Sequence, residues 1–292
     1  MKNRKKVVVR LQGGLGNQLH QFAYGFLLAK KIDAELYIDK EFLINYSKKL
    51  NITLRNFEIN KFDFNCKEYK SIMSNQLFLS VIKRFRLNSF LKKIKINVVS
   101  YYMPLQSFSN DESSFYYLDG IMGINDDYEN FKDFLIENLG IASNFLYLEQ
   151  LAKSEIKNEN SVAIHIRRTD YLKAGSIHHV LDMDYYKKAI KYIETKIENP
   201  FYYVFSDDIE FARQNLCGDN FKMINYKKEN AAFFDFLAIK NCCHHIIANS
   251  TFSWWAAFLG EGKDSITVAP SVNLTTNELD IKSSYPKNWI IF

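Results

Sequence analysis

Three short clusters in this 292-residue chain carry side chains suited to gripping a charged ligand. The first is His165-Ile166-Arg167-Arg168-Thr169-Asp170-Tyr171, which follows the apolar run Ser161-Val162-Ala163-Ile164. A guanidinium is permanently charged, and its planar fork matches phosphate oxygens two at a time. Adjacent arginines at the end of a buried strand read either as a pyrophosphate clamp or as a structural ion pair with Asp170. The second cluster is Phe205-Ser206-Asp207-Asp208, whose carboxylates suit a guanine edge or a ribose hydroxyl. Ser206 or Asp207 would also serve as a helix N-cap, and both roles are expected, divided between neighbours. The third cluster is Asn249-Ser250-Thr251-Phe252-Ser253-Trp254-Trp255. Its hydroxyls precede a helix whose first N–H groups attract phosphate, and its tryptophans read as core packing.

A fourth stretch, Gln12-Gly13-Gly14-Leu15-Gly16-Asn17-Gln18, sits between a strand pattern and a helical one. Glycines there permit positive φ and close approach of a ligand to backbone N–H groups. The spacing is not that of a dinucleotide fingerprint. Asn17 and Gln18 either hold a sugar or order the turn. Gly14→Val is expected to harm the turn through a positive φ.

The elements that must position these clusters alternate. Val7–Leu11 and Glu35–Asp39 read as strands, with a helix at about 18–31 between them. From Ser161 onward, strands near 161–164, 201–205, 221–224, 245–247 and 265–268 alternate with helices near 184–198, 208–216, 230–240 and 252–259. Repeats of this length imply parallel sheets covered on both faces, hence an α/β fold. A polar break near 150–160 sets the expected domains at 1–155 and 156–292. The stretch from 40 to 115 is the least regular. Within it, Val81–Ile96 interleaves Lys83, Arg84, Arg86, Lys92, Lys93 and Lys95 with apolar residues. It reads either as an amphipathic helix lying on anionic lipid or as a solvated helix face.

Composition narrows the classes. Hydrophobic residues make up 47% of the chain and prolines number 4, enough apolar material for one large core or two smaller ones. A net charge of +5 is only mildly basic, and no nucleic-acid partner is expected. Cys66, Cys217, Cys242 and Cys243 are not spaced as a disulfide framework, which suggests a reducing compartment. Cys242-Cys243-His244-His245 cannot readily converge on one ion and reads as structural. The basic start Met1–Lys6 leads into too short an apolar run for a signal core or a span. A cytoplasmic protein, peripheral at the inner membrane if residues 83–95 bind lipid, is the expectation. The sequons at Asn51, Asn249 and Asn273 then carry no weight.

Taken together, Gly13–Gln18, His165–Tyr171, Phe205–Asp208 and Asn249–Trp255 resemble the inverting α-1,2-fucosyltransferases, in particular bacterial enzymes that decorate O-antigen and other surface glycans. The resemblance runs from about residue 7 to Pro286–Trp289 and is thin between about 40 and 115. It implies a GT-B-like pair of Rossmann-like domains facing across a cleft, with GDP-fucose held mainly by the second domain. It also implies a galactose-terminated oligosaccharide or lipid-linked acceptor. Arg167 is then expected on the β-phosphate, with His165 and Asp207 or Asp208 at the guanosine. Ser250, Thr251 or Ser253 would add bonds to phosphate. Arg168 would hold the loop through an acidic partner, the two arginines being interchangeable at this point. Gly14, Asn17, Ser206 and Asn249 complete the expected binding set, and Arg167, Arg168 and Asp170 the catalytic one. Cationic donors can replace a divalent metal on a leaving diphosphate, so no metal or other cofactor is expected. His20, Asp39, His178, His179 and Asp182 are candidate bases.

Two departures from the family pattern stand out. Thr169 replaces a common glycine, and Gly120-Ile121-Met122-Gly123 replaces a Gly-Tyr-Phe/Trp-Gln tract on the acceptor side. Transfer to another linkage, and a non-catalytic protein that binds a guanine nucleotide sugar, stay open beside the main reading.

Overall fold

The computed structural model describes residues 4–46, 55–64, 66–100, 103–120, 132–174, 179–272 and 285–292. The chain divides into two compact units, Met1–Gly140 and Ile141–Phe292. This boundary lies earlier than the polar break because a helix that precedes the break belongs to the second unit. That helix, Leu146–Glu155, joins the helix Ala231–Lys240 through the Glu149–Lys240 ion pair at 3.3 Å. The ring of Phe145 also meets that of Phe233 edge-on at 5.6 Å.

The first unit holds β1 (Lys5–Arg10), α1 (Leu15–Lys31), β2 (Ala34–Asp39), β3 (Lys67–Glu68), α2 (Gln76–Arg84), α3 (Asn88–Lys93), β4 (Ile96–Val99) and β5 (Phe115–Leu118). Its strands pair in parallel in the order β3-β2-β1-β5-β4. Alternate side chains of a strand face opposite sides, so Val8, Val98 and Tyr117 meet Leu79 and Ile82 of α2 on one face. The basic stretch expected as one helix is two. The chain turns after Arg84, and Arg86 takes a left-handed φ of 51°.

The second unit holds α4 (Leu146–Glu155), β6 (Ser161–Ile166), α5 (Thr169–Ala174), α6 (Met183–Glu194), β7 (Phe201–Ser206), α7 (Ile209–Asn215), β8 (Phe221–Ile224), α8 (Ala231–Lys240), β9 (His244–Ile246), α9 (Thr251–Gly260), β10 (Thr267–Ala269) and β11 (Ile290–Ile291). Its parallel sheet runs β8-β7-β6-β9-β10-β11. Val162, Ile164 and Ile166 pack under Tyr186, Ala189 and Ile193 of α6 on one face. Every residue of β6 is buried, which is why its sequence reads as an apolar run rather than an alternation. The tryptophan pair is core, as expected, with Trp255 fully buried and the Trp254 ring 5.5 Å from that of Trp289.

Strand order decides where a ligand fits. Counting from its own first strand, the second unit's sheet is 3-2-1-4-5-6, so connections leave in opposite directions on either side of β6. Open parallel sheets bind ligands beyond the carboxyl ends of the strands at such a reversal. Here it falls between β6 and β9. In the first unit the reversal falls between β1 and β5, and a buried ion pair fills it. Arg10 Nη1 lies 2.8 Å from Asp119 Oδ1, with both side chains 2% exposed.

Candidate functional site

The residues that leave β6 and β9 at their carboxyl ends are the arginine loop and the Asn249–Ser253 cluster. Asp207, just past β7, organises the first of these. Its Oδ1 accepts from Arg168 N at 2.9 Å, and its Oδ2 accepts from Thr169 N at 3.2 Å and Thr169 Oγ1 at 2.7 Å. Arg167 Nε lies 3.4 Å from the same Oδ2. A hydrogen bond to a charged group contributes about 1.5–3 kcal/mol, so Asp207 is foremost the fastener of the 167–169 loop.

Asp208 has a different duty. Its Oδ1 accepts from Phe211 N at 3.2 Å, which makes it the N-cap of α7. The cap had been expected at Ser206 or Asp207. Ser206 instead accepts from Asp208 N at 2.9 Å, and thereby holds the cap residue in place. Arg168 donates from Nε to Asp208 Oδ2 at 3.4 Å and lays its guanidinium 3.6 Å from the centre of the Phe211 ring. It is held at both its edge and its face. The two arginines sit differently: Arg168 is packed onto α7, while Arg167 pairs with Asp207, the loop's own fastener. The side chain of Asp170 lies outside the described residues, so the alternative ion pair with it is left aside.

Asn249 donates from Nδ2 to His179 O at 2.8 Å, which ties the loop before α6 to the end of β9. Ser250 caps α9, its Oγ accepting from Phe252 N at 3.3 Å, and Thr251 opens the helix. Ser253 is corrected as a phosphate contact. It is fully buried, and its hydroxyl donates to Ala248 O at 3.5 Å and Ser250 O at 3.4 Å. His165, 6% exposed, packs its ring 5.6 Å from Phe252, and Phe252 meets Phe236 of α8 at 5.5 Å.

Three tyrosines to which sequence reasoning assigned no role belong to this neighbourhood. Tyr171 donates to Asn249 O at 3.0 Å, Tyr185 to Ile247 O at 2.7 Å and Tyr186 to His165 O at 3.2 Å. These hydroxyls pin both strand ends from helices α5 and α6. Burial raises the Tyr185 and Tyr186 pKa values well above the phenol range, so both remain neutral donors. A further residue of the second unit to which sequence reasoning assigned no role is Asp235, on α8. Its Oδ1 is buried with no hydrogen-bond partner among the described residues, and burial pushes its pKa up to about 7. An unpaired buried carboxylate oxygen is costly, and functional sites are where such a cost persists. The sequence signal was present: Asp235 is the sole acidic residue of α8, and every other residue of that helix before Lys240 is apolar.

The front turn also differs from expectation. The positive φ belongs to Gly13, at 73°, whereas Gly14 is extended with φ −79° and caps α1. A Cβ on Gly13 would lie 2.5 Å from Asn17 Nδ2, so the Asn17 side chain is folded over this glycine. Gln18 donates to Gly13 O at 2.9 Å and Asn56 O at 2.7 Å, and accepts from Glu58 N at 2.9 Å and Ile59 N at 3.2 Å. That uses all the hydrogen-bonding capacity of one amide. Gln18 orders the turn.

The candidate bases fare unevenly. His20 is 2% exposed inside the first unit, and burial lowers its pKa to about 3. Asp39 is fully buried against the Tyr117 hydroxyl. Asp182 caps α6, accepting from Asp184 N at 3.1 Å and Tyr185 N at 3.2 Å. His179 lends its backbone carbonyl to Asn249. His178 lies outside the described residues, as do 121–123 of the departing acceptor-side tract. His244 Nδ1 accepts from Ile266 N at 3.1 Å and His245 Nε2 lies 3.0 Å from Ile239 O, so both histidines bind backbone.

Comparison with known proteins gives this arrangement a context. The model of Glycosyl transferase family 11 matches residues 1–292. The O-antigen biosynthesis glycosyltransferase WbnK of Escherichia coli is 31% identical over 281 residues, covering 89% of this chain and 92% of that one. An alpha-1,2-colitosyltransferase of Escherichia coli is 28% identical over 298 residues, covering 97% and 98%. The galactoside alpha-(1,2)-fucosyltransferase 1 of Bos taurus is 31% identical over 113 residues, 37% of this chain and 31% of that one. Among solved structures, a NodZ alpha-1,6-fucosyltransferase soaked with GDP-fucose superposes with a TM-score of 0.56 at 13% identity, covering 88% of this chain and 92% of that one. This last likeness is one of fold alone. With its full length matched by the family model, and the enzyme WbnK aligned along nearly all of it, the chain belongs to glycosyl transferase family 11.

Proposed function

We propose that this glycosyltransferase moves L-fucose from GDP-β-L-fucose to the 2-hydroxyl of a galactoside, on an oligosaccharide or a lipid-linked glycan, with inversion at the anomeric carbon. The observation that carries the reading is the convergence of Arg167 and the Ser250-capped start of α9 at the reversal between β6 and β9. Such a place suits a diphosphate, with the nucleoside beyond it. The relatives named for alpha-1,2 transfer support the linkage. The two units are read as halves of a GT-B-like enzyme, the second taking the donor and the first the acceptor.

In this scheme the acceptor oxygen bonds to the anomeric carbon as the bond to the β-phosphate oxygen breaks, and the electron pair leaves with GDP. Arg167 and the first N–H groups of α9 stabilise the charge growing on the diphosphate. His165 and Asp235 are assigned to the guanosine, since a carboxylate suits the paired N–H donors of a guanine edge. Asp207 and Asp208 act indirectly, by shaping the loop and holding Arg168. No protein base is assigned, and the acceptor proton passes to solvent or to the departing phosphate. Fixed cations on the diphosphate make a divalent metal unnecessary in this scheme. Activity is expected to persist in excess EDTA, and complete loss restored by Mg²⁺ or Mn²⁺ would contradict the charge argument.

The test is a mass-spectrometric screen of GDP-fucose and GDP-colitose against lactose, N-acetyllactosamine and galactosyl-β-1,3-N-acetylgalactosamine. Colitose, the 3-deoxy analogue of fucose, is included because the colitosyltransferase aligns along almost the whole chain. Fucosylated product with GDP-fucose supports the proposal. Product only with GDP-colitose would reassign the sugar, and GDP binding without any transfer would mark a non-catalytic protein.

A further inference from the structure

Helices α2 and α3 present an exposed apolar surface that the first unit's core does not use. On α2, Leu79 and Ile82 face inward, packed with Val8, Val98 and Tyr117. Residues four apart stack on one helical face, so Leu77, Val81 and Phe85 form an outward stripe, with Leu77 74% and Phe85 64% exposed. On α3, Leu91 packs toward the same core, while Phe90 and, at the residue that ends the helix, Ile94 are 63% and 57% exposed. Both helices thus turn apolar stripes away from a shared core. Scattered exposed apolar residues need no explanation, but contiguous ones mark an interaction surface.

Charge identifies the partner. Between Glu68 and Asp111 the chain holds seven Lys or Arg residues and no Asp or Glu. Lys83 and Lys92 are ion-paired with Asp119 and Asp111 at 2.8 and 3.4 Å. Arg84, Arg86, Lys93 and Lys95 are exposed around the stripes. A second copy of this surface would meet it with like charge. A nucleic acid would match the cations but not the aliphatic Leu77, Val81 and Ile94. We infer that α2 and α3 dock this protein onto an anionic lipid surface, with the stripes sunk at the headgroup boundary and the cations on lipid phosphates. Among the described residues no helix is long and apolar enough to cross a membrane, so the contact is one of surface. Two ties fix α2 to the sheet's carboxyl edge: the Lys83–Asp119 pair, and Arg10 Nη2 donating to Gln76 Oε1 at 2.6 Å. The docking face is therefore held rigidly beside that edge. This inference does not depend on the sugar transferred.

The test is co-sedimentation with vesicles of phosphatidylglycerol and phosphatidylethanolamine, against vesicles of phosphatidylcholine alone. The full chain should pellet with the anionic vesicles and stay in solution with the neutral ones. A basic residue at an anionic surface is worth about fivefold in partitioning, so Arg84→Gln/Arg86→Gln/Lys93→Gln should weaken binding roughly a hundredfold. Phe85→Ser/Phe90→Ser should also release the protein, with wild-type melting curves in both variants to show an intact fold. No binding to anionic vesicles, equal binding to neutral ones, or undiminished binding by both variants would overturn the inference. So would a dimer in sedimentation velocity that Phe85→Ser dissolves, or tighter binding to an oligonucleotide than to vesicles.

Discussion

Two residues carry the proposed chemistry, and each makes its own prediction. Arg167 is anchored to Asp207 through Nε, while Arg168 is spent on Asp208 and Phe211. Arg167→Ala should lower turnover by on the order of a hundredfold or more, as loss of a donor to a developing negative charge does. Arg167→Lys should not restore it, because an ammonium cannot bind two phosphate oxygens as a planar fork does. Initial rates together with melting curves check both, and near-normal turnover in the lysine variant would remove the clamp. Asp235 adds a pH signature. Its pKa is raised by burial to about 7, so without ligand it is largely protonated in mild acid. A guanine edge donates to the ionised form, so GDP affinity should rise with pH, by up to about tenfold per unit, and level off above about pH 7. The effect on stability has the opposite sign. The native state keeps a proton that the unfolded chain has lost, so between pH about 4 and about 7 stability falls by up to about 1.4 kcal/mol per pH unit. Calorimetry of GDP binding across pH should show the affinity slope in the wild type and a flat line in Asp235→Asn.

Elements explain why those residues stand where they do, and how far the sequence revealed them. β6 was legible because a strand buried on both faces must be continuously apolar, and the charge that ends it marks the sheet's edge. The cap of α7 was misassigned to Ser206 or Asp207 because Ser, Asp and Asp in a row are all competent caps, and only the strand's end point chooses among them. Tyr185 and Tyr186 are hidden in the amphipathic pattern of α6, where a phenol reads as apolar. Asp235 was overlooked because a helix dense in phenylalanine suggests core, not site. The glycine turn gives the element-scale prediction. Gly13 has φ 73° and Asn17 Nδ2 against it, while the nearest atoms to a Cβ on Gly14 are those of Arg55 at 3.9 Å. Gly13→Val should therefore destabilise the first unit by about 1–3 kcal/mol and reduce transfer, and Gly14→Ala should do neither. Denaturant melts beside initial rates separate the two.

At the scale of the molecule, one chain repeats a parallel α/β design but treats the two strand-order reversals differently. In the first unit, Arg10 and Asp119 close the reversal with a buried pair, reinforced by Gln12 Nε2 donating to Asp119 Oδ1 at 3.0 Å. Breaking such a pair leaves an uncompensated buried charge, which makes this corner structural. In the second, the reversal is lined by a partly exposed arginine and a capped helix start. This difference supports the proposal that the second unit takes the donor. The most direct measurement is NMR of the product formed from GDP-β-L-fucose and a galactoside. The account predicts an α-fucoside on the galactose 2-oxygen, with one GDP released per linkage formed. A β-fucoside, a linkage to another hydroxyl, or hydrolysis to free fucose alone would contradict it.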